Sequence, residues 1–232
     1  MRRFICEKVP QEAGSRVVLD VDVSRHLLQI TRVRRGSDVV IFDGQGRSAV
    51  ARLVGKAGRC AELEVVSLLP SEARVADLWA CLAVTKGSRF ETAVRMAVEL
   101  GATCIQPVLA ARCIARGDRH DRWQRVIDGA VAQSGRSLAP RLAGLTPLAD
   151  VLHRPSSELV RWICVPGAAT TAGTLGPAAV LVGPEGGWDD REVASAMDAG
   201  WSGAGLGTTV LRAETAVSAA LTRIRCNGPA VG

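Results

Sequence analysis

The chain has 232 residues, of which 47% are hydrophobic and 3% aromatic, and a net charge of +6. It can bury a sizeable core of Val, Leu, Ile and Ala, and no apolar run approaches the roughly 18 residues that a membrane-spanning helix needs. The seven cysteines (6, 60, 81, 104, 113, 164 and 226) are odd in number and lack a C-x-x-C pair, and the three histidines are far apart. Reduced thiols are therefore expected, with no disulfide framework and no metal site. Glu7 comes too early for a signal peptide, so a cytoplasmic protein without membrane association is expected.

Residues 1–70 read as mostly β. Arg3–Cys6, Arg16–Leu19, Val39–Phe42, Ser48–Val54 and Cys60–Leu69 are strand-like, with Asp43-Gly44 a turn between the third and fourth. Ser24 is placed to cap a short helix through His26, Leu27 and Ile30. Several short strands in so short a span suggest a small barrel. The segment Gly44–Ala49 fits the G-x-G-x-x-A pattern of a dinucleotide site, but that site needs a helix next. Ala49–Val54 reads as a strand, so the pattern is a hairpin turn. Pro70-Ser71-Glu72 reads as a linker, giving domains of 1–70 and 71–232.

Residues 77–232 alternate strand and helix patterns, the signature of an α/β layer on a parallel sheet. Leu78–Val84 is a strand. Ser88 and Glu91 have the spacing of a capping box for a helix that turns Phe90, Val94, Ala97 and Val98 inward and stops at Gly101. Cys104–Leu109 is the next strand. Asp118 or Asp121 opens a helix with Trp123, Ile127, Ala130 and Val131 facing inward. After a connector come strands at Leu159–Val165 and Ala178–Val182. Asp189 with Glu192 caps a helix carrying Val193, Ala196 and Met197. Glu214-Thr215 precedes a last helix with Val217, Ala220, Leu221 and Ile224.

Charge is uneven along the chain: +4 over residues 1–70, +4 over 71–145 and −2 over 146–232. Only three of the 29 basic residues are lysine. Arginine grips phosphate bidentately and stacks on bases, which suits RNA. A GC-rich genome also favours arginine, but does not explain the asymmetry.

Two glycine-bearing loops carry the chemistry. Gly183-Pro184-Glu185-Gly186-Gly187 follows the apolar run Ala178–Val182. Glycines at the carboxyl end of a strand let the backbone approach a ligand, and open α/β sheets bind ligands at that edge. The loop lacks the lysine of a triphosphate-binding loop and carries Glu185, so a neutral or cationic ligand fits better. S-adenosylmethionine, a sulfonium, is such a ligand; the alternative is a tight turn with no ligand. The second loop, Leu206–Arg212, sets Arg212 just before a helix. There it can meet a phosphate or a base developing negative charge, or serve as an ordinary surface cap paired with a glutamate.

Together, "LVGPEGGWDDRE" (181–192) and "LGTTVLRAETA" (206–216) resemble the signature of the RsmE family of ribosomal RNA methyltransferases, within the SPOUT superfamily. Three upstream segments resemble the family in the same order: "HLLQITRVRRGSDVVIFDGQGR" (26–47), "TKGSRFETAVRMAVELGATCIQP" (85–107) and "WQRVIDGAVAQSGRSLAP" (123–140). The resemblance implies a PUA-like β-barrel followed by a SPOUT α/β domain with a C-terminal trefoil knot. It also implies a homodimer, with transfer of a methyl group from S-adenosylmethionine to N3 of a uridine in 16S ribosomal RNA of the small subunit. The sequence departs from the family at Met96, where a basic residue is usual, at Ala132, where glutamate is usual, and at Thr31, where an aliphatic residue is usual.

On this reading the cofactor is held by Val165, Pro166, Val182, Gly183, Pro184, Glu185, Gly186, Gly187, Leu206, Gly207, Val210, Leu211, Arg212 and Thr215. Uridine N3 is protonated near neutral pH, so the reaction needs a base or stabilisation of the anion. Arg212 is the expected anion stabiliser, and Glu185 or Glu214 the proton acceptor, although Glu214 also suits helix capping. RNA contacts are expected from Arg2, Arg3, Arg25, Arg32 and Arg34 in the first domain and from Lys86, Arg89, Arg112 and Arg136 in the second. Any one of these also reads as a solvated surface charge. Two rival readings are a SPOUT enzyme acting on a ribose 2′-hydroxyl and a non-catalytic ribosome-assembly protein that binds RNA.

Overall fold

The computed structural model describes residues 1–114, 117–169 and 176–226. Contacts group the chain into two units, Met1–Arg74 with Asp128–Ala139, and Val75–Ile127 with Pro140–Gly232.

The first unit holds five strands: β1 (Arg3–Ile5), β2 (Arg16–Val18), β3 (Asp38–Phe42), β4 (Ser48–Ala57) and β5 (Cys60–Leu68). They form a mixed sheet in the order β1-β3-β4-β5-β2, with β1 parallel to β3 and the other pairs antiparallel. In β5 the residues alternate, with Ala61, Leu63 and Val65 buried and Glu62 and Glu64 more exposed, the period-two pattern of a sheet with one face on a core. That core gathers Phe4, Leu19, Leu27, Ile41, Leu53 and Leu63. Backbone pairing among the described residues runs as an open path from β1 to β2, so it does not close the expected barrel.

The Gly44–Ala49 segment does lie in a hairpin. Phe42 pairs with Ser48 across it, and Asp43 Oδ1 accepts from the amides of Gln45 (2.8 Å) and Arg47 (3.1 Å).

Ser24 is not a helix cap. Asp20 caps α1 (Val21–Arg25) by accepting from the Asp22 amide, and a π-helical turn follows at His26–Ile30. Ser24 is buried. Its hydroxyl donates to Leu19 O at 3.1 Å and accepts from the Ala61 amide at 2.8 Å, so it pins the helix to β5.

The second unit is a parallel sheet with helices. In chain order it contains β6 (Leu78–Ala83), α2 (Arg89–Glu99), β7 (Cys104–Leu109), the start of α3 (His120–Ser134), β8 (Arg141–Leu142) and β9 (Thr146–Pro147). There follow α4 (Leu148–Val151), β10 (Val160–Cys164), β11 (Ala178–Val182), α5 (Asp190–Asp198), β12 (Ser202–Ala204) and α6 (Ala213–Cys226). The strand order is β12-β10-β11-β6-β7-β8, β9 also pairs with β7, and every pairing is parallel. β11 sits between β10 and β6 and all five of its residues are buried, which is why it reads as an unbroken apolar run rather than an alternating one. Cys81, Val108, Ile163, Leu181, Trp188 and Trp201 belong to one core cluster here.

The capping box expected at Ser88 and Glu91 does not form. Ser88 makes no side-chain cap, and Glu91 is taken by Arg122, with Nε 2.5 Å from Oε1. At α5 the same pattern does form: Asp189 accepts from the Arg191 amide at 3.0 Å, and Glu192 accepts from the Asp189 amide at 2.9 Å. None of the described helices is long and apolar enough to cross a membrane.

Candidate functional site

The carboxyl ends of β10, β11 and β12 open into one cavity of about 460 Å³, within the range of pockets that enclose a small molecule. Its walls are the two glycine loops and the segment after β10. Val165 and Pro166 line it, as do Val182 through Gly187, and Leu206, Gly207, Val210, Leu211 and Arg212. Of the residues expected to hold a cofactor, only Thr215 stands outside this lining; one turn into α6, it is exposed. Cys164, Trp188, Ala204, Thr209, Ala213 and Ala216 also line the cavity without having been singled out in sequence, and Arg89, expected to contact RNA, lines it too. Cys164 and Ala204 are the last residues of β10 and β12, so recognising β12 as a strand would have found Ala204.

Local packing explains the glycines. A Cβ on Gly183 would lie 3.1 Å from the Trp188 ring. That ring is fixed, because its Nε1 donates to Cys164 O at 3.1 Å. Gly187 has φ +70° and closes the loop by donating its amide to Pro184 O at 2.9 Å. Beyond β12, a Cβ on Gly205 would come within 2.0 Å of Ala168 O, so two backbone segments approach closely there with no room for a side chain. The contact is tied by Gly205 N donating to Ala169 O (3.0 Å) and by Arg223 Nη1 donating to Gly205 O (2.7 Å).

The charges sit at the rim. Arg89 Nη1 is 3.2 Å from Glu185 Oε1. Arg112 donates to Gly186 O at 3.0 Å and lies 3.6 Å from Asp189. Arg212 lines the cavity, is exposed, and has no ion-pair partner among the described residues. Glu185 also lines the cavity, engaged by Arg89. Glu214 lies outside the lining; its Oε2 is buried and has no hydrogen-bond partner among the described residues. The thiol of Cys164 is pushed up to about 12 by burial, so it stays protonated and acts as an apolar wall.

The arginines and the lysine expected to meet RNA are placed differently from one another. Arg25, Arg32, Arg34 and Lys86 are exposed. Arg2 is exposed and donates to Thr31 O. Arg89 and Arg112 hold the glycine loop as described. Arg3 is turned inward: it donates to Arg136 O (2.9 Å) and Ser137 Oγ (2.8 Å) and stacks 5.3 Å from the Phe42 ring centroid. Burial lowers its pKa, partly offset by Glu72. The Arg136 side chain is only 14% exposed and faces Glu72 at 3.8 Å. Neither charge is presented to a ligand as an exposed arginine would be. The described residues hold no cluster of three or more His, Cys, Asp or Glu able to bind a metal.

The sequence pattern of the RNA methyltransferase domain matches residues 71–225. The chain is 34% identical to the ribosomal RNA small subunit methyltransferase E of Mycobacterium bovis, covering 94% of this chain and 88% of that protein. It is 33% identical to the protein of the same name from Synechocystis, covering 90% of this chain and 72% of that protein. Among solved structures, the ribosomal RNA small subunit methyltransferase E of Neisseria gonorrhoeae bound to S-adenosyl methionine superposes with a TM-score of 0.88 at 32% identity. That match covers 96% of this chain and 95% of the other. By the span of the domain match and by these relatives, the chain belongs to the RNA methyltransferase family.

Proposed function

We propose that the protein methylates N3 of a uridine in 16S ribosomal RNA, using S-adenosylmethionine bound between the two glycine loops. The observation that carries this reading is the cavity that both loops line, with the carboxylate of Glu185 and the guanidinium of Arg212 in its wall, the latter without an ion-pair partner among the described residues. Relatives across most of the chain are named as small-subunit ribosomal RNA methyltransferases, and a similar structure holds S-adenosyl methionine, which supports the substrate and the cofactor.

The lining suits that cofactor. Bare glycine backbone at the strand ends accepts close approach, Val165, Val182 and Leu206 give apolar contact, and Glu185 favours a cation over a polyanion. When bound, the cofactor supplies an electrophilic methyl on a sulfonium. Arg212 lowers the cost of the negative charge that N3 must carry as its proton leaves. Glu185 or Glu214 takes that proton, directly or through water. The new N–C bond forms as the C–S bond breaks, with the electron pair returning to sulfur. Holding N3 and methyl in line supplies much of the acceleration.

In this reading residues 1–70 form a PUA-like RNA-binding domain and residues 71–232 the SPOUT methyltransferase domain. A trefoil knot is consistent with the close backbone approach at Gly205 and with α6, which returns from edge strand β12 to pack on α2 and β11. The functional unit is a homodimer acting in the cytoplasm on 16S RNA or the small subunit. Nucleoside mass spectrometry of ribosomal RNA from a deletion strain tests the assignment. Loss of 3-methyluridine supports it, whereas loss of a 2′-O-methylated nucleoside, or of none, overturns it.

A further inference from the structure

A second, smaller cavity lies at the mouth of α2, bordered by Thr85, Lys86, Gly87, Phe90, Glu91 and Arg119 among others. Its volume is about 130 Å³, well below the roughly 300 Å³ at which pockets begin to enclose a whole small molecule. It can admit a compact group but not a nucleoside.

Three independent features ask for an anion there. Thr85 is 4% exposed and its Oγ1 is buried without a hydrogen-bond partner among the described residues, a state rarely left in a native protein unless something else completes it. The start of α2 has no side-chain cap at Ser88, which leaves the positive end of the helix dipole without a side-chain partner. The surrounding charge is net positive: Lys86 and Arg119 are exposed, while the carboxylate of Glu91 is matched by Arg122 at 2.5 Å and 3.0 Å. Beneath lies an apolar floor of Phe90 and Trp123, whose ring centroids are 4.7 Å apart and which excludes water from one side.

Arg89, on the same turn of α2, faces the large cavity. We propose that the small cavity is an anion site that seats one phosphate group of the RNA backbone, fixing the strand beside the methyl-donor pocket. The RNA part of this inference rests on the function proposed above; the anion site does not.

The test follows backbone amide shifts of Gly87, Ser88 and Arg89 by NMR during titration with inorganic phosphate, uridine 5′-monophosphate and uridine. It is paired with salt-dependent binding of a short uridine-containing RNA. Phosphate and the nucleotide shift these amides and the nucleoside does not. Lys86→Ala and Arg119→Ala each lower the slope of log affinity against log salt by about one. Thr85→Val weakens RNA binding severalfold with the slope unchanged, and Thr85→Ser restores it. Unmoved amides with an unchanged slope overturn the proposal. Amides that move with phosphate while the RNA slope stays unchanged also overturn it, since the site then takes only a free anion. Calorimetry with S-adenosylmethionine separates the two readings: absence of cofactor binding in the wild-type protein would sink the methyltransferase reading and leave the anion-site result standing.

Discussion

Arg89 at the head of α2 and Glu185 in the glycine loop meet at 3.2 Å across the rim of the large cavity. The pair joins two segments 96 residues apart and sets a carboxylate in the lining of the cavity. Both side chains are partly exposed, at 51% and 27%, so the contact contributes only about 0–1 kcal/mol to folding. Its importance is therefore electrostatic rather than structural.

Glu185→Gln should leave the unfolding temperature within about 3 °C of wild type. It should weaken S-adenosylmethionine binding by about fivefold, the effect of one unit charge at ~4 Å in a high-dielectric setting. S-adenosylhomocysteine, which lacks the sulfonium charge, should lose less. Calorimetry with both ligands checks this; equal losses would show that Glu185 does not read the cofactor's charge.

Gly183→Ala should cost about five- to 150-fold in cofactor affinity. The added methyl meets the Trp188 ring at 3.1 Å, and that ring cannot retreat without breaking its bond to Cys164 O. Relieving such overpacking costs about 1–3 kcal/mol, which would also appear as a lowered unfolding temperature. An unchanged temperature and affinity would mean that the loop adjusts freely.

Arg32 is the one non-glycine residue among those described with positive φ, at +50°. It follows the π-helical turn at the position where glycine commonly ends a helix. Arg32→Gly should therefore raise stability by up to about 1 kcal/mol. If Arg32 touches RNA, the same change should weaken RNA binding at low salt. Chemical denaturation and filter binding report the two effects separately, and destabilisation would contradict the strain argument.

Burial pushes the thiols of Cys6 and Cys164 up to about 12 and that of Cys104 up to about 11. An unfolded thiol ionises near pH 8.5. The unfolded chain thus releases protons before the folded one does, so stability is unaffected by these groups below about pH 8 and falls as pH rises from there toward 11–12. Melting temperatures between pH 7 and 10.5 should decline, and Cys164→Ala should make the decline shallower. A flat profile in the wild type would contradict the assigned burial.

Much of this was legible in the sequence because it rests on local rules. The apolar run of β11, the hairpin at Asp43-Gly44 and the Asp189–Glu192 capping box each follow from neighbours within a few residues. Elsewhere a distant partner overrides the local pattern. Ser24 looks like a cap, but Leu19 and Ala61 claim its hydroxyl. The Ser88–Glu91 spacing is that of a capping box, but Arg122 claims the carboxylate. Arg3 looks like a surface cation, but Phe42, Arg136 and Ser137 surround it. The three-residue strand β12 is too short and too glycine-rich to show a period, and only its pairing with β10 defines it. The grouping of Asp128–Ala139 with the first unit likewise depends on contacts far apart in sequence.

On the proposed mechanism, Arg212 stabilises a uridine anion beside a bound methyl donor. The direct measurement incubates the purified protein with labelled S-adenosylmethionine and small subunits from a strain lacking the protein, and identifies the product nucleoside by mass spectrometry. The expected product is 3-methyluridine, with turnover about 100- to 1,000-fold lower for Arg212→Ala and cofactor affinity within a few-fold of wild type for that variant. A labelled nucleoside other than 3-methyluridine, or near-normal turnover by Arg212→Ala, would contradict that mechanism.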